Sequence, residues 1–192
     1  MFNLPGVVAV AGSRNLSASG SALVVQITSN LAACGSSFVV GCCSGADAAL
    51  LSAVPGSIPP SLVKCLSAFD SDGIGSAPSS AIDQVFSFSH TGGSVTWLAG
   101  GSVSLPLWVR LANRTKQVIN SANAGLLVFF SSSRSRGSLL ACRCAISRGI
   151  PVVAFPIGFS GSELPVLGSG NWVYFDSYQG YLWVKNQQDI FI

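Results

Sequence analysis

The residues best suited to chemistry lie in one short loop. Ser131-Ser-Ser-Arg-Ser-Arg-Gly-Ser138 sets Arg134 and Arg136 among serines and a glycine, with no acidic neighbour. A planar guanidinium fork beside small residues matches the shape and charge of a phosphate. Two other loops are built in a similar way, Gly12-Ser13-Arg14 and Gly41-Cys-Cys-Ser44-Gly45-Ala-Asp47. The candidate ligand-binding residues are Gly12, Ser13, Arg14, Gly41, Ser44, Gly45, Asp47, Arg134, Arg136, Gly137 and Ser138. Asp47 has two readings: it accepts from a ribose hydroxyl, or it stabilises its own loop as a residue of a helix N-terminus.

Each loop follows an apolar run and precedes a helical pattern. Val7-Val-Ala-Val-Ala11, Phe38-Val-Val-Gly41 and Leu126-Leu-Val-Phe-Phe130 read as buried strands, because each is short, continuous and closed by turn formers. A strand that enters a helix through a small-residue loop points bare backbone N–H groups at one spot, where the helix dipole also favours an anion. In a parallel sheet the strand ends share one edge, so the three loops converge.

The remaining pattern gives helices at about 17–33, 45–53, 106–121 and 138–148, with a short one at 81–88. The second of those strands spans about 37–41, and further strands fall at about 62–67 and 151–155. Residues 70–80 read as a loop, and Trp97 lies in irregular structure between two Gly-Gly steps. The aromatic tail from Asn171 reads as a strand pair turning near Gln179-Gly180. Alternating strands and helices predict an α/β, Rossmann-like three-layer sandwich, with a mostly parallel sheet and helices on both faces. All 192 residues form one domain on this reading, with an aromatic-rich C-terminal extension from about 160.

Composition narrows the class. Charged residues are 9% of the chain, far below the roughly 25% of ordinary soluble domains. Mean hydropathy is +0.55, yet no apolar run reaches the ~18 residues of a spanning helix. The start has no basic segment ahead of an apolar one, so no signal peptide is expected. These features predict a cytoplasmic protein with no membrane partner, and the low charge makes a homo-oligomer a candidate state. Six cysteines form no CxxC pair, and His90 is the single histidine. Buried free thiols are therefore expected, with no metal and no cofactor.

Between Asp83 and Glu163 there is no acidic residue, while seven of the ten basic residues fall there. That asymmetry predicts an anionic partner. Arg148, near a helix C-terminus, reads as a solvated side chain. Catalysis has little to work with. Ser138 lies in no G-x-S-x-G elbow, and the chain lacks both G-x-G-x-x-G and a Walker sequence. The carboxylates at Asp70 and Asp72 are too few for a calcium loop.

Four blocks taken together resemble the DNA-processing protein A family, within the Rossmann-like SLOG superfamily. Val8-Ala-Val-Ala-Gly-Ser-Arg14, with Ser17 and Gly20, is similar to that family's "VGSR…S..G". Val39-Val-Gly-Cys-Cys-Ser-Gly-Ala-Asp-Ala48 resembles "VSGxAxGxDA", which puts Gly45 and Asp47 on its glycine and aspartate. Arg114-Thr115 falls where the family has Arg-Asn, and this adds Arg114 to the candidate site. Arg136-Gly-Ser-Leu-Leu-Ala-Cys-Arg143, with Pro151-Val-Val-Ala-Phe-Pro156, resembles "SGSLxTAxxA…VxAVPG". The blocks span most of residues 6–158. Departures are Thr115 for the asparagine, Asn123 where an aspartate is common, and Arg136 for a small residue. The more distant LOG proteins share the superfamily, but their "PGGxGTxxE" is missing, so their phosphoribohydrolase activity is not carried over. The resemblance places no match on the tail from about 160.

The residues themselves favour a binder of a nucleotide or nucleotide-derived small molecule, without chemistry of its own. The resemblance implies the alternative, single-stranded DNA binding. That would need a basic groove with stacking aromatics, for which Arg110, Arg114, Lys116 and Arg143, with Trp97 or Trp108, are candidates. The sequence pI of 8.6 falls short of the >9 common among nucleic-acid binders. A third reading, a nucleotide-cleaving hydrolase, would require Glu163 or Asp176 to approach Asp47 from the tail.

Overall fold

Valine and phenylalanine runs set the frame. The computed structural model describes residues 4–54, 56–75, 79–177 and 179–186. Its strands are β1 (Gly6–Gly12), β2 (Ser36–Val40), β3 (Val63–Leu66), β4 (Ser94–Thr96), β5 (Gly125–Phe130), β6 (Val152–Pro156), β7 (Gly170–Phe175) and β8 (Gly180–Lys185). They form one sheet in the order β4-β3-β2-β1-β5-β6-β8-β7. The first six pair in parallel, and the β7–β8 hairpin adds antiparallel strands beside β6. In the central register Val10 lies opposite Val40 on one side and Leu127 on the other.

The helices are α1 (Ala18–Ala33), α2 (Ala46–Ala53), α3 (Ser79–His90), α4 (Leu107–Ser121) and α5 (Arg136–Ser147). Strand alternation splits the core in two, because successive side chains of a strand face opposite ways. On β5, Leu127 and Phe129 join the core under α1, α2 and α3, while Leu126, Val128 and Phe130 join the one under α4 and α5. All five are fully buried. Phe129 stacks on Phe155 of β6 at 4.8 Å, and truncating either buried ring to alanine should cost about 3–5 kcal/mol in lost burial and cavity formation. This is the Rossmann-like, mostly parallel α/β architecture expected from the sequence.

Local chemistry places the element ends. Ser17 caps α1, its Oγ accepting from the Gly20 N–H at 3.1 Å. Gly45 precedes α2 with φ +74, and a Cβ there would lie 2.0 Å from the Ser13 carbonyl oxygen. A side chain at that position would be strained and would part the first two loops.

Three expectations change. The region around 91–102 contains a short parallel edge strand, β4, and Trp97 just after it packs on Phe69 and Phe86 at 6.0 and 5.6 Å. The helix α5 begins at Arg136 rather than 138, so Arg136 and Gly137 belong to its first turn. The predicted loop at 70–80 is cut short, because α3 begins at Ser79; residues 76–78 lie outside the described ones. The hairpin falls where the aromatic tail predicted it, with Trp172 against Trp183 at 5.1 Å. Among the described residues no helix is long and apolar enough to cross a membrane.

Candidate nucleotide-binding cleft

The loops after β1 and β5 meet at the carboxyl edge of the sheet. Ser13 joins them: its N–H donates to the Phe129 carbonyl at 2.8 Å, and its Oγ accepts from the Ser131 N–H at 2.9 Å. Between these loops is a recess of about 420 Å³, with Arg14 and Asn15 on one side and Ser132, Arg134 and Arg136 on the other. No side chain caps the start of α5, which leaves its first N–H groups directed at this recess. Arg14, Arg134 and Arg136 are exposed there.

A second, larger cleft of about 760 Å³ adjoins it, and Gly12, Arg14, Arg136 and Gly137 line both. Its walls are apolar. Val10 and Ala11 come from β1, Leu107, Trp108 and Leu111 from α4, and Leu140 from α5. Trp108 is 73% exposed, the largest apolar side chain left in water beside the cleft. Cys43, Asp47 and Arg114 line its inner part.

That inner part is held by a buried ion pair. Arg110, Arg114 and Val118 recur every fourth residue on the inward face of α4, so two arginines are packed with the valine. Arg114 Nη1 lies 3.3 Å from Asp47 Oδ2, both side chains 7% exposed. The same carboxylate oxygen accepts from the Cys43 N–H at 3.0 Å, and Arg114 Nη2 donates to Cys43 Sγ at 3.0 Å. Arg114 Nε is buried without a partner. Burial pushes the Asp47 carboxyl up to about 6, against the opposing pull of Arg114. Gly41 makes room for this pair, since a Cβ there would overlap the Arg114 guanidinium.

The structure thus sorts the predicted residues into three groups. Gly12, Arg14, Arg134, Arg136 and Gly137 face the recess or the cleft, with Ser13 buried as the tie behind them. Asp47 and Arg114 form the internal ion pair. Gly41, Ser44, Gly45 and Ser138 line neither space; Ser138 is buried with its Oγ 2.9 Å from that of Ser135. The aspartate therefore acts on its own loop, through the Cys43 N–H, as well as on Arg114.

The basic groove drawn from the sequence is corrected at several points. Arg110 is buried and donates to the carbonyls of Ala68 and Leu105, so it holds a loop instead of lining a groove. Trp97 is part of an aromatic core cluster. Arg148 is exposed, as expected, and its guanidinium also donates to the Ile119 and Ala122 carbonyls at the C-terminus of α4. Lys116 and Arg143 are exposed but line neither space. Glu163 is occupied in a capping box with Ser160, and neither it nor Asp176 reaches the cleft. Of the cysteines expected to be buried, Cys42, Cys65 and Cys142 are, whereas Cys34, Cys43 and Cys144 are only partly buried. Sequence reasoning missed Cys43 and the apolar walls, because their roles come from α4 and α5 packing over β1.

Comparison with known proteins bears on the fold. No family model matches the chain, and no curated protein matches it. Solved structures do. DNA processing protein A from Helicobacter pylori, studied for its single-stranded DNA binding mode, superposes with a TM-score of 0.62 at 19% identity. That match covers 84% of this chain and 69% of that one. DNA processing protein A from Streptococcus pneumoniae gives a TM-score of 0.60 at 21% identity, covering 83% of this chain and 53% of that one. The chain thus has the fold of the DNA processing protein A structures and spans between half and about two thirds of their length.

Proposed function

We propose that this chain binds single-stranded DNA, taking a phosphate in the recess and the attached base in the cleft. The observation that carries this reading is the continuity of the two spaces across Arg14 and Arg136. A nucleotide unit has the same division, an anion joined to a flat apolar face. Arg14, Arg134 and Arg136 neutralise the backbone, and the uncapped N–H groups of α5 hold a phosphate oxygen. Trp108 offers a stacking surface that every base can use, which suits binding without sequence preference. The fold shared with a protein described by its single-stranded DNA binding mode supports the same reading.

A second reading, a free nucleotide as ligand, is favoured by the cleft's size, which falls within the roughly 300–1,000 Å³ of small-molecule sites. Titration with oligo-dT and with mononucleotides at several salt concentrations separates the two. Strand binding gives an affinity that falls steeply with salt, and each lost phosphate contact lowers the log–log slope by about 0.7. Trp108→Ala weakens strand binding by about 1–3 kcal/mol through lost stacking. Binding of mononucleotides alone, insensitive to salt, would favour the second reading. A Trp108→Ala chain with unchanged affinity for both would remove the cleft from the site.

A further inference from the structure

The loop between β2 and α2 carries adjacent thiols for which nucleic-acid binding has no use. Cys42 is 1% exposed, and its sulfur accepts from the Ala68 N–H at 3.3 Å. Cys43 is partly buried, lines the cleft and donates a side-chain hydrogen bond to Cys42. The Arg114 guanidinium, 3.0 Å from the Cys43 sulfur, favours the thiolate, which is the nucleophilic form. Beside that sulfur the cleft has room for a small molecule, and Arg14 and Arg136 at its mouth draw anions.

We propose that Cys43 is a site of reversible S-thiolation by an anionic low-molecular-weight disulfide that enters through the cleft. The exchange needs no other reagent. Cys42 gives up a proton to solvent, Cys43 passes its own proton along their shared hydrogen bond to Cys42, and the Cys43 sulfur attacks one sulfur of the disulfide. A new S–S bond forms as the old one breaks, and the other half leaves as a thiolate that takes up a proton. The Cys43 sulfur is oxidised and the departing half is reduced. Cys42 is shielded, so Cys43 is the member of the pair that a solute reaches.

The two adjacent thiols titrate together. The Cys42 thiol is lowered to about 7, because the Cys43 S–H donates to it and Arg114 lies near. That same hydrogen bond, with burial, holds the Cys43 proton well above the ordinary thiol range, so the Cys43 thiolate forms by proton transfer to Cys42. Arg14, from the loop after β1, adds to the attraction, while Asp47 of α2 and Cys65 of β3 oppose the charge.

The test treats the folded full chain with glutathione disulfide, or with cystamine as the cationic counterpart, followed by intact mass and peptide mapping. The expected result is one adduct, on Cys43, forming faster as pH rises through about 7 and removed by dithiothreitol. Glutathione disulfide should react severalfold faster than cystamine, with the gap closing at high salt. In a Cys43→Ser chain whose circular dichroism matches the parent, this adduct should be lost. Adducts on Cys34 or Cys144 without Cys43, or none on a folded chain whose unfolded form reacts, would overturn the assignment. Faster reaction with cystamine would overturn the anionic class.

The mixed disulfide occupies the cleft, so the thiolated chain should lose oligo-dT binding; this readout alone rests on the function proposed above. If the untreated chain fails to bind oligo-dT, that reading fails while the peptide map still decides the cysteine. Undiminished binding by the thiolated chain would place the adduct outside the cleft.

Discussion

Arg136 and Arg114 belong to one cleft and do opposite things. At the mouth, Arg136 projects into water from the first turn of α5, among serines and a glycine. At the inner end, Arg114 is sealed under α4, held by Asp47 and Cys43. A solvated guanidinium contributes little to stability and remains available to an incoming anion. A desolvated one is committed to the groups that neutralise it, and losing either partner leaves a charge without compensation. The mouth can therefore vary at little cost to folding, whereas the inner end supports the loops that shape the mouth.

The contrast is broken most directly at the inner end. Arg114→Ala should destabilise the fold by about 3–5 kcal/mol, read as a lower midpoint in urea, because the Asp47 carboxylate then stays buried alone. Pairing it with Asp47→Leu should recover much of that loss. A stable single variant would mean that the ion pair carries no structural weight.

Acid sharpens the comparison next. The folded Asp47 holds its proton up to about 6, above its ordinary 3.8, so the folded state binds more protons in between. This stabilising contribution is complete below the ordinary value and is lost as pH rises through about 6, at no more than about 1.4 kcal/mol per pH unit. Wild type measured against Asp47→Asn should show that downward slope, and parallel curves would refute it. Arg136→Ala should leave the pH curve unchanged.

Gly45→Ala tests the tie between the loops. Its φ of +74 and the crowding against Ser13 should together cost about 2 kcal/mol, with strand binding weakened as the loops part. The smallest effect belongs to the mouth. Arg136→Ala should weaken oligo-dT binding by about 1–2 kcal/mol, lower the salt slope and leave the unfolding midpoint within error. A large loss of stability there would erase the distinction between mouth and inner end.

How much of this was legible follows from range of interaction. The buried strands, and the loops after β1, β2 and β5, could be placed because apolar runs and turn formers act over a few residues. The edge strand β4 escaped, being three residues long, with Ser94 and Thr96 pointing to solvent and only Val95 partly buried. Arg110 and Arg114 read as groove residues because sequence records their charge but not their burial. On α4 they lie on the same stripe as Val118, and a pattern that expects apolar residues on the buried face puts arginines outside. The resemblance placed Arg114 beside the right loops, and packing decided which way it faced.

The sequence by itself determined the alternation of strands and helices, the small-residue loops and the excess of positive charge between Asp83 and Glu163. These are local properties, set by side-chain volume, backbone freedom and charge along the chain. Only the tertiary structure decided which arginines face water, that Asp47 neutralises Arg114, and that Cys43 reaches the cleft beside Trp108. Those outcomes depend on α4 and α5 closing over β1 from distant parts of the chain. Burial then makes the same guanidinium a structural tie at the inner end and a ligand-facing charge at the mouth.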